Sequence, residues 1–294
     1  MEPYKFKKII FNDGFLNDSV DATYIIHLEN NGRYEQIQEQ LKEYHPTNIV
    51  YILFNKGYKK SIKKPFINSP PLDLIDAFLE IFKHADKKNY NNILILEDDF
   101  IFSEKIKIKD HQLNINNSIT KLDNTNFIYL LGCIPFIQIP YDLYNYRVLS
   151  AGTHAVVYSK QNRIETLKIN QEEMKDWDYH NQNSNRITYY IPLCYQIVSE
   201  TDNSKLWGSG INKFLQQICR SFIKIYKLLN LDKTPEPGTT IFYLLSKSFT
   251  LIIITLFLLF ISIKLIYKGF KAIIGLIFIL AFIYQILLKK RRIN

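Results

Sequence analysis

The sequence predicts an α/β domain built on a mostly parallel sheet and followed by C-terminal transmembrane helices, and three observations carry that expectation. Across the first 210 residues, strand-like apolar runs alternate with stretches of helical periodicity, as crossover-connected parallel strands require. Between Asn92 and Phe102, four successive aliphatic residues run straight into three acids, Glu97, Asp98 and Asp99. From Ile241 to Leu288 the chain carries no acid and is dominated by Ile, Leu and Phe.

Taken in order, Thr23–Leu28 reads as a strand and Arg33–Tyr44 as a helix, with Ile37 and Leu41 on one face. Asn48–Phe54 is a second strand. Pro70 and Pro71 open a helix reaching about His84, where Leu74, Ile75, Phe78, Leu79 and Phe82 keep helical spacing. The acidic strand follows. Glu104–Asn126, rich in Asn and Lys, reads as a loop. Phe127–Cys133, Val148–Ser159 and Arg186–Gln196 read as later strands, with a short helix after Lys160. Ile211–Leu231 is amphipathic, and Asp232–Gly238 reads as a linker, so residues 1–210, 211–240 and 241–294 form the expected domain, connecting segment and anchor.

Charge placement separates the anchor from the domain. The chain has 37 Lys and Arg against 28 Asp and Glu, but eight of the bases and none of the acids fall in 241–294. The first 240 residues carry 29 bases against 28 acids, which is no footprint for nucleic acid. The tail divides into two apolar runs, 241–263 and 272–288, around Lys264, Lys268 and Lys271. As helices they span about 35 and 26 Å, against a hydrocarbon core of about 30 Å. A helical hairpin is the expected arrangement, with one span plus an interfacial helix as the alternative. Met1–Lys8 leads into no apolar core of signal length, and Lys289–Arg292 is basic, so the domain is expected to face the cytosol. The three cysteines are widely spaced and sit among apolar neighbours, which reads as buried thiols. The sequons at Asn17 and Asn116 then count as chance occurrences.

Three neighbouring acids at the mouth of a buried strand repel one another, and burial penalises their charge. A hard divalent cation, Mg²⁺ or Mn²⁺, is the simplest partner that keeps them ionised, and such ions usually bridge to substrate phosphates. The plainer alternative is a solvated turn after a core strand.

The order Tyr24–Leu28 with Arg33, then Leu94–Asp99, then Ala151-Gly152-Thr153-His154-Ala155 with Tyr158–Lys160, resembles glycosyltransferase family 25 over roughly residues 22–207. That family includes lipooligosaccharide and collagen galactosyltransferases and relatives from giant viruses. The resemblance implies a GT-A nucleotide-sugar-binding fold, a donor of the UDP-sugar kind, a divalent cation, and a glycan, glycolipid or protein acceptor. It places Asp99 and Glu97 on the metal, and His27, Arg33, Glu97 and Asp98 near the donor. It also lines the site with Gly152, Thr153 and His154. His27 stands where the family has Asn, and the arginine-rich turn that follows is reduced to Asn30-Asn31-Gly32-Arg33.

An inverting transfer needs a carboxylate to take the proton from the acceptor hydroxyl. Asp178 and Asp176, flanking Trp177, correspond in order to an acidic position of the family, with Asp178 preferred. Asp176 equally suits a helix N-cap. Trp177, Tyr179 and Trp207 are aromatic faces for a sugar or members of the core. Lys205 suits a diphosphate or plain solvent. Three functional classes follow: a membrane-anchored transferase, a catalytically degenerate glycan-binding or scaffold relative, and a metal-dependent phosphotransferase or nuclease.

Overall fold

The computed structural model describes residues 2–180, 184–196 and 235–291, with single positions at 217, 221, 224 and 228. Lys205, Trp207 and Cys219, and most of the expected amphipathic helix, lie outside the described residues. The chain divides into two compact units, Met1–Lys247 and Ser248–Asn294.

The first unit is built on seven strands: β1 (Tyr4–Ile10), β2 (Ala22–Leu28), β3 (Ile49–Asn55), β4 (Asn92–Glu97), β6 (Phe127–Pro140), β7 (Asn145–Ser159) and β8 (Asn185–Tyr189). Their spatial order is β1-β3-β2-β4-β7-β6-β8. β5 (Phe100–Phe102) and β9 (Cys194–Gln196) form a separate antiparallel pair. Helices α1 (Tyr34–Glu43), α2 (Pro70–Lys87), α3 (Lys109–Lys121), α4 (Lys160–Leu167) and α5 (Trp177–His180) connect them.

Each central strand is buried on both faces, so its alternate residues feed two cores. Ile25, Ile52, Leu94 and Leu96 face one layer with Ile37 and Leu41 of α1 and Ile115 and Ile119 of α3. Tyr24, Ile26, Ile93 and Ile95 face the other with Phe78 and Phe82 of α2. The two-residue period of a strand makes this division, and it explains why these strands read as unbroken apolar runs.

The structure corrects the expectation in several places. The sheet is mixed in detail: β2 pairs in parallel with β3 and β4, and β6 with β8, while β1–β3, β4–β7, β6–β7 and β7–β8 are antiparallel. β6 turns directly into β7 through residues 141–144, and so short a connection permits only an antiparallel partner. The expected loop 104–126 holds α3. Ile115 and Ile119, one helical turn apart, are fully buried there, and the polar residues that read as loop are bonded inward. The Asn116 amide donates to the carbonyls of Phe15 (2.8 Å) and Gln112 (2.9 Å), so the sequon at Asn116 is closed to modification in the fold. Arg186–Gln196 is two strands, β8 and β9, separated at Pro192. Cys133 and Cys194 are buried thiols.

The last helix, α6 (Pro235–Arg291), is continuous. It begins inside the expected linker. In the first unit its opening turns are docked: Tyr243 is 2% exposed with its hydroxyl 2.8 Å from Thr188 Oγ1, and Gln138 Nε2 donates to the Tyr243 carbonyl at 2.9 Å. In the second unit the large apolar side chains from Leu251 to Leu280 are exposed all round the helix. Among the described residues this is one helix long and apolar enough to cross a membrane, and it reaches a mean hydropathy of 2.7. In place of the expected hairpin of spans 241–263 and 272–288, the residues form one helix. Lys264–Lys271 contains no proline and one glycine, Gly269, whose cost of about 1 kcal/mol does not stop a helix flanked by strong formers.

Candidate functional site

The strand order reverses beside β2: the chain passes from β2 to β3 on one side, then returns past β2 to β4 on the other. At such a point the connections leaving the carboxyl ends of parallel strands separate, and a crevice opens between them. A cavity of about 690 Å³ lies there. It is lined by Leu28, Glu29, Asn31 and Arg33 after β2, Asn55–Lys60 after β3, Glu97–Asp99 at the end of β4, and Gly152, Thr153, Asp176, Trp177, Asp178 and Gln196.

The three acids differ in their surroundings. Asp98 is a brace. Its carboxylate accepts from the Leu28 N–H (3.1 Å), the Asn31 amide and Arg33 Nη1 (2.7 Å), with His27 Nδ1 at 3.5 Å. Burial pushes its pKa up, but these donors outweigh burial and hold it below the usual carboxylate range. Asp98 thereby fixes the turn that leads from β2 into α1.

Asp99 keeps one oxygen engaged and one unengaged. Oδ2 meets Arg33 Nη1 and Gln196 Nε2, each at 3.2 Å, while Oδ1 is buried with no hydrogen-bond partner among the described residues. Burial raises its pKa to about 6 despite the neighbouring arginine. Glu97 is pushed well above the usual carboxylate range by burial and by the charges of Asp99, Asp178 and Asp98. The Thr153 hydroxyl offers it a 3.4 Å hydrogen bond.

Gln196 reaches Asp99 because β9 lies close against β6. A Cβ at Gly132 would stand 1.8 Å from the Cys194 carbonyl oxygen, so only glycine admits this approach. Gly152, at φ +84°, turns its N–H onto Asp178 Oδ2 at 3.0 Å. Asp178 is thus aimed into the cavity from the start of α5, and the Asp176 carbonyl accepts from His180 N–H at 3.1 Å across the same short helix.

Two expected site residues, His27 and His154, lie off the cavity wall, and a third, Trp177, is largely packed behind it. His154 does not line the cavity. It is buried, its pKa is lowered to about 4 by burial, and Nε2 lies 3.3 Å from the Cys194 carbonyl, so it is a neutral ring donating to backbone. His27 stands behind Asp98, edge-on to Phe54 with centroids 5.4 Å apart. Trp177 contributes an edge to the lining but belongs to the core: it is 3% exposed, stacks on Phe78 at 4.3 Å, and donates from Nε1 to Tyr158 Oη at 2.9 Å. Arg33, Glu97, Asp98, Asp99, Gly152, Thr153, Asp176 and Asp178 are brought together around one cavity.

Sequence reasoning passed over the segment after β3. Lys59 and Lys60 are exposed on the lining. Beneath them Lys63 Nζ donates to Tyr4 Oη (2.6 Å), Asn55 Oδ1 (3.0 Å) and Asp73 Oδ1, a buried network that anchors the segment to β1 and α2. The available signal was a basic run directly after a strand of a parallel set, where such folds bind ligands.

Among the described residues no group of three or more His, Cys, Asp or Glu is disposed to hold a metal ion. Glu97 and Asp99 nevertheless form a two-carboxylate pair, with raised pKa values and an unengaged buried oxygen. That donor set fits a hard cation that completes its shell with substrate oxygens and water.

No family model matches the chain, and no curated protein matches it. Solved structures similar to it include A197 from STIV, with 11% identity and a TM-score of 0.35 over 60% of this chain and 86% of that one. Another is a glycosyltransferase involved in the glycosylation of the major capsid of PBCV-1, with 12% identity and a TM-score of 0.35 over 63% of this chain and 95% of that one.

Proposed function

We propose that the protein is a membrane-anchored, metal-dependent glycosyltransferase that transfers a hexose from a nucleotide-sugar donor, of the UDP-sugar kind, to a glycan, lipid-linked or protein acceptor. The observation that carries this reading is the pair Glu97 and Asp99, both with raised pKa values, set in a 690 Å³ cavity beside Lys59, Lys60 and Arg33. Two acids short of positive charge and a basic rim are what a cation and a diphosphate would jointly neutralise.

Glu97 and Asp99 would hold Mn²⁺ or Mg²⁺, and the bound ion supplies neutralisation of the departing diphosphate. Lys59 and Lys60 meet the same charge from the rim. Asp178, oriented by the Gly152 N–H, takes the proton of the acceptor hydroxyl, with Asp176 as the neighbouring carboxylate. Asp98 positions Arg33 and the turn on which the donor rests. In this reading the apolar part of α6 is the anchor, and the catalytic unit faces the cytosol, where its donor is made. Confining the enzyme to the bilayer raises its effective concentration towards a lipid-linked acceptor.

The test is release and transfer of sugar from a panel of nucleotide sugars with Mn²⁺, comparing the parent with Asp99→Ala. Loss of transfer in the variant is expected; unchanged transfer rejects the metal assignment. A second reading, a degenerate glycan-binding or scaffold protein of the same fold, draws on Arg33, whose guanidinium already reaches Asp98 and Asp99. It predicts donor or glycan binding that persists in EDTA without turnover.

A further inference from the structure

We propose that the tip of the β6–β7 hairpin seats in the interfacial layer of a lipid bilayer, making a membrane contact additional to that of α6; the proposal rests on the reading of α6 as an anchor. Six large apolar or aromatic side chains of this one hairpin are exposed: Phe136 (46%), Ile139 (51%), Tyr141 (42%), Leu143 (82%), Tyr144 (38%) and Leu149 (46%). Six exposed large side chains gathered on one hairpin mark an interaction surface, unlike a lone exposed leucine.

The tip is held in its exposed form. Asp142 Oδ1 accepts from Tyr144 N (2.8 Å), Asn145 N (2.9 Å) and Asn145 Nδ2 (2.8 Å), and Tyr141 N donates to the Asn145 carbonyl at 2.9 Å. These bonds fix the backbone of the tip with Leu143 outward, and the one acid at the tip is occupied by backbone and amide donors.

What covers the patch follows from where the hairpin is tied. Gln138 bonds to the Tyr243 carbonyl. Lys247 Nζ donates to the Tyr190 carbonyl at 2.6 Å and lies 4.7 Å from the centre of the Tyr146 ring, and Tyr190 N donates to the Tyr144 carbonyl at 2.8 Å. Lys247 is also the last charge before the 16 uncharged residues 248–263. Lys247, which in this reading marks the water boundary of the span, thus lies against Tyr146, next to the hairpin tip, and is bonded to Tyr190 beside it. Tyrosines together with Arg147, whose guanidinium lies 5.1 Å from the Tyr141 ring, are the composition of an interfacial belt.

The experiment uses the full chain in phosphatidylcholine vesicles whose acyl chains carry bromine either near the headgroup or near the chain end. Tryptophan emission is read after subtracting the parent's own Trp177 and Trp207. Leu143→Trp is expected to shift to the blue and to lose intensity to the headgroup-proximal bromines. Ile10→Trp, on the edge strand at the other side of the sheet, is expected to do neither. Phe257→Trp, within the apolar run, reports the anchor itself through the deep bromines. An unquenched Leu143→Trp with a quenched Phe257→Trp overturns the hairpin contact and leaves the anchor standing. Equal quenching of Leu143→Trp and Ile10→Trp also overturns it, and an unquenched Phe257→Trp removes the anchor and the hairpin contact together.

Discussion

Replacing Asp99 by Asn should stabilise the metal-free protein, and by an amount that depends on pH. Asp99 is 5% exposed and its pKa is raised from 3.8 to about 6, so the folded state holds its proton more tightly than the unfolded chain does. A shift of about two units corresponds to about 3 kcal/mol. Because the pKa is raised, that cost is present in full above about pH 6, shrinks as pH falls from 6 towards 4, and is gone below the unfolded value. Asn carries no charge at any pH and its oxygen still faces Arg33 and Gln196. At pH 7.5 the variant should therefore melt about 6–12 °C above the parent, since 1 kcal/mol moves a domain of this size by about 2–4 °C. At pH 4 the two should nearly coincide. The assay is thermal unfolding of the full chain in detergent with EDTA, followed by the same series in Mn²⁺, which should raise the melting point of the parent at pH 7.5 and leave the variant unmoved. A variant no more stable than the parent at pH 7.5, or more stable by the same margin at pH 4, refutes the claim that Asp99 is a charge held against its preference.

Two further substitutions separate braces from site residues. Asp98→Ala removes the acceptor of the Leu28 N–H and of Arg33, and should cost about 3 kcal/mol, somewhat less than a fully buried pair because Arg33 stays 21% exposed. Since the Asp98 pKa is depressed, its contribution is present at neutral pH and disappears in acid as pH falls below the unfolded value and through the folded one; parent and variant melting points should converge there. Trp177→Phe leaves the buried Tyr158 oxygen without its donor and should cost about 1–3 kcal/mol while the KM for the donor stays unchanged. A higher KM with an unaltered melting point would instead return Trp177 to the sugar.

Much of the central sheet could be read from the chain because its signals are local. β2, β3 and β4 are continuous apolar runs, and Pro70-Pro71 announces α2. The acids at the end of β4 were legible for the same reason: charge adjacent to a buried strand is visible without knowing the partner. What escaped depends on distant chain. β1 is a lysine-rich edge strand whose sheet partner among the described residues is β3 alone. α3 hid its two isoleucines among asparagines that turn out to be bonded inward. The identity of a histidine or tryptophan does not reveal depth: His27 and His154 sit off the cavity wall against Phe54 and the Cys194 carbonyl, and Trp177, at its edge, is stacked on Phe78. Lys63 and Gln196 gain much of their meaning from residues remote in sequence, Tyr4 for the one and Asp99 for the other.

The missing side chain at position 132 has a reach out of proportion to its size. A single methyl group there would drive off the Cys194 carbonyl, and the short strand it belongs to would have to lift. The amide two residues on would then draw away from its acid, and the imidazole of His154 would lose its acceptor. The chemistry could thus be disarmed from behind, with every cavity residue still in the sequence.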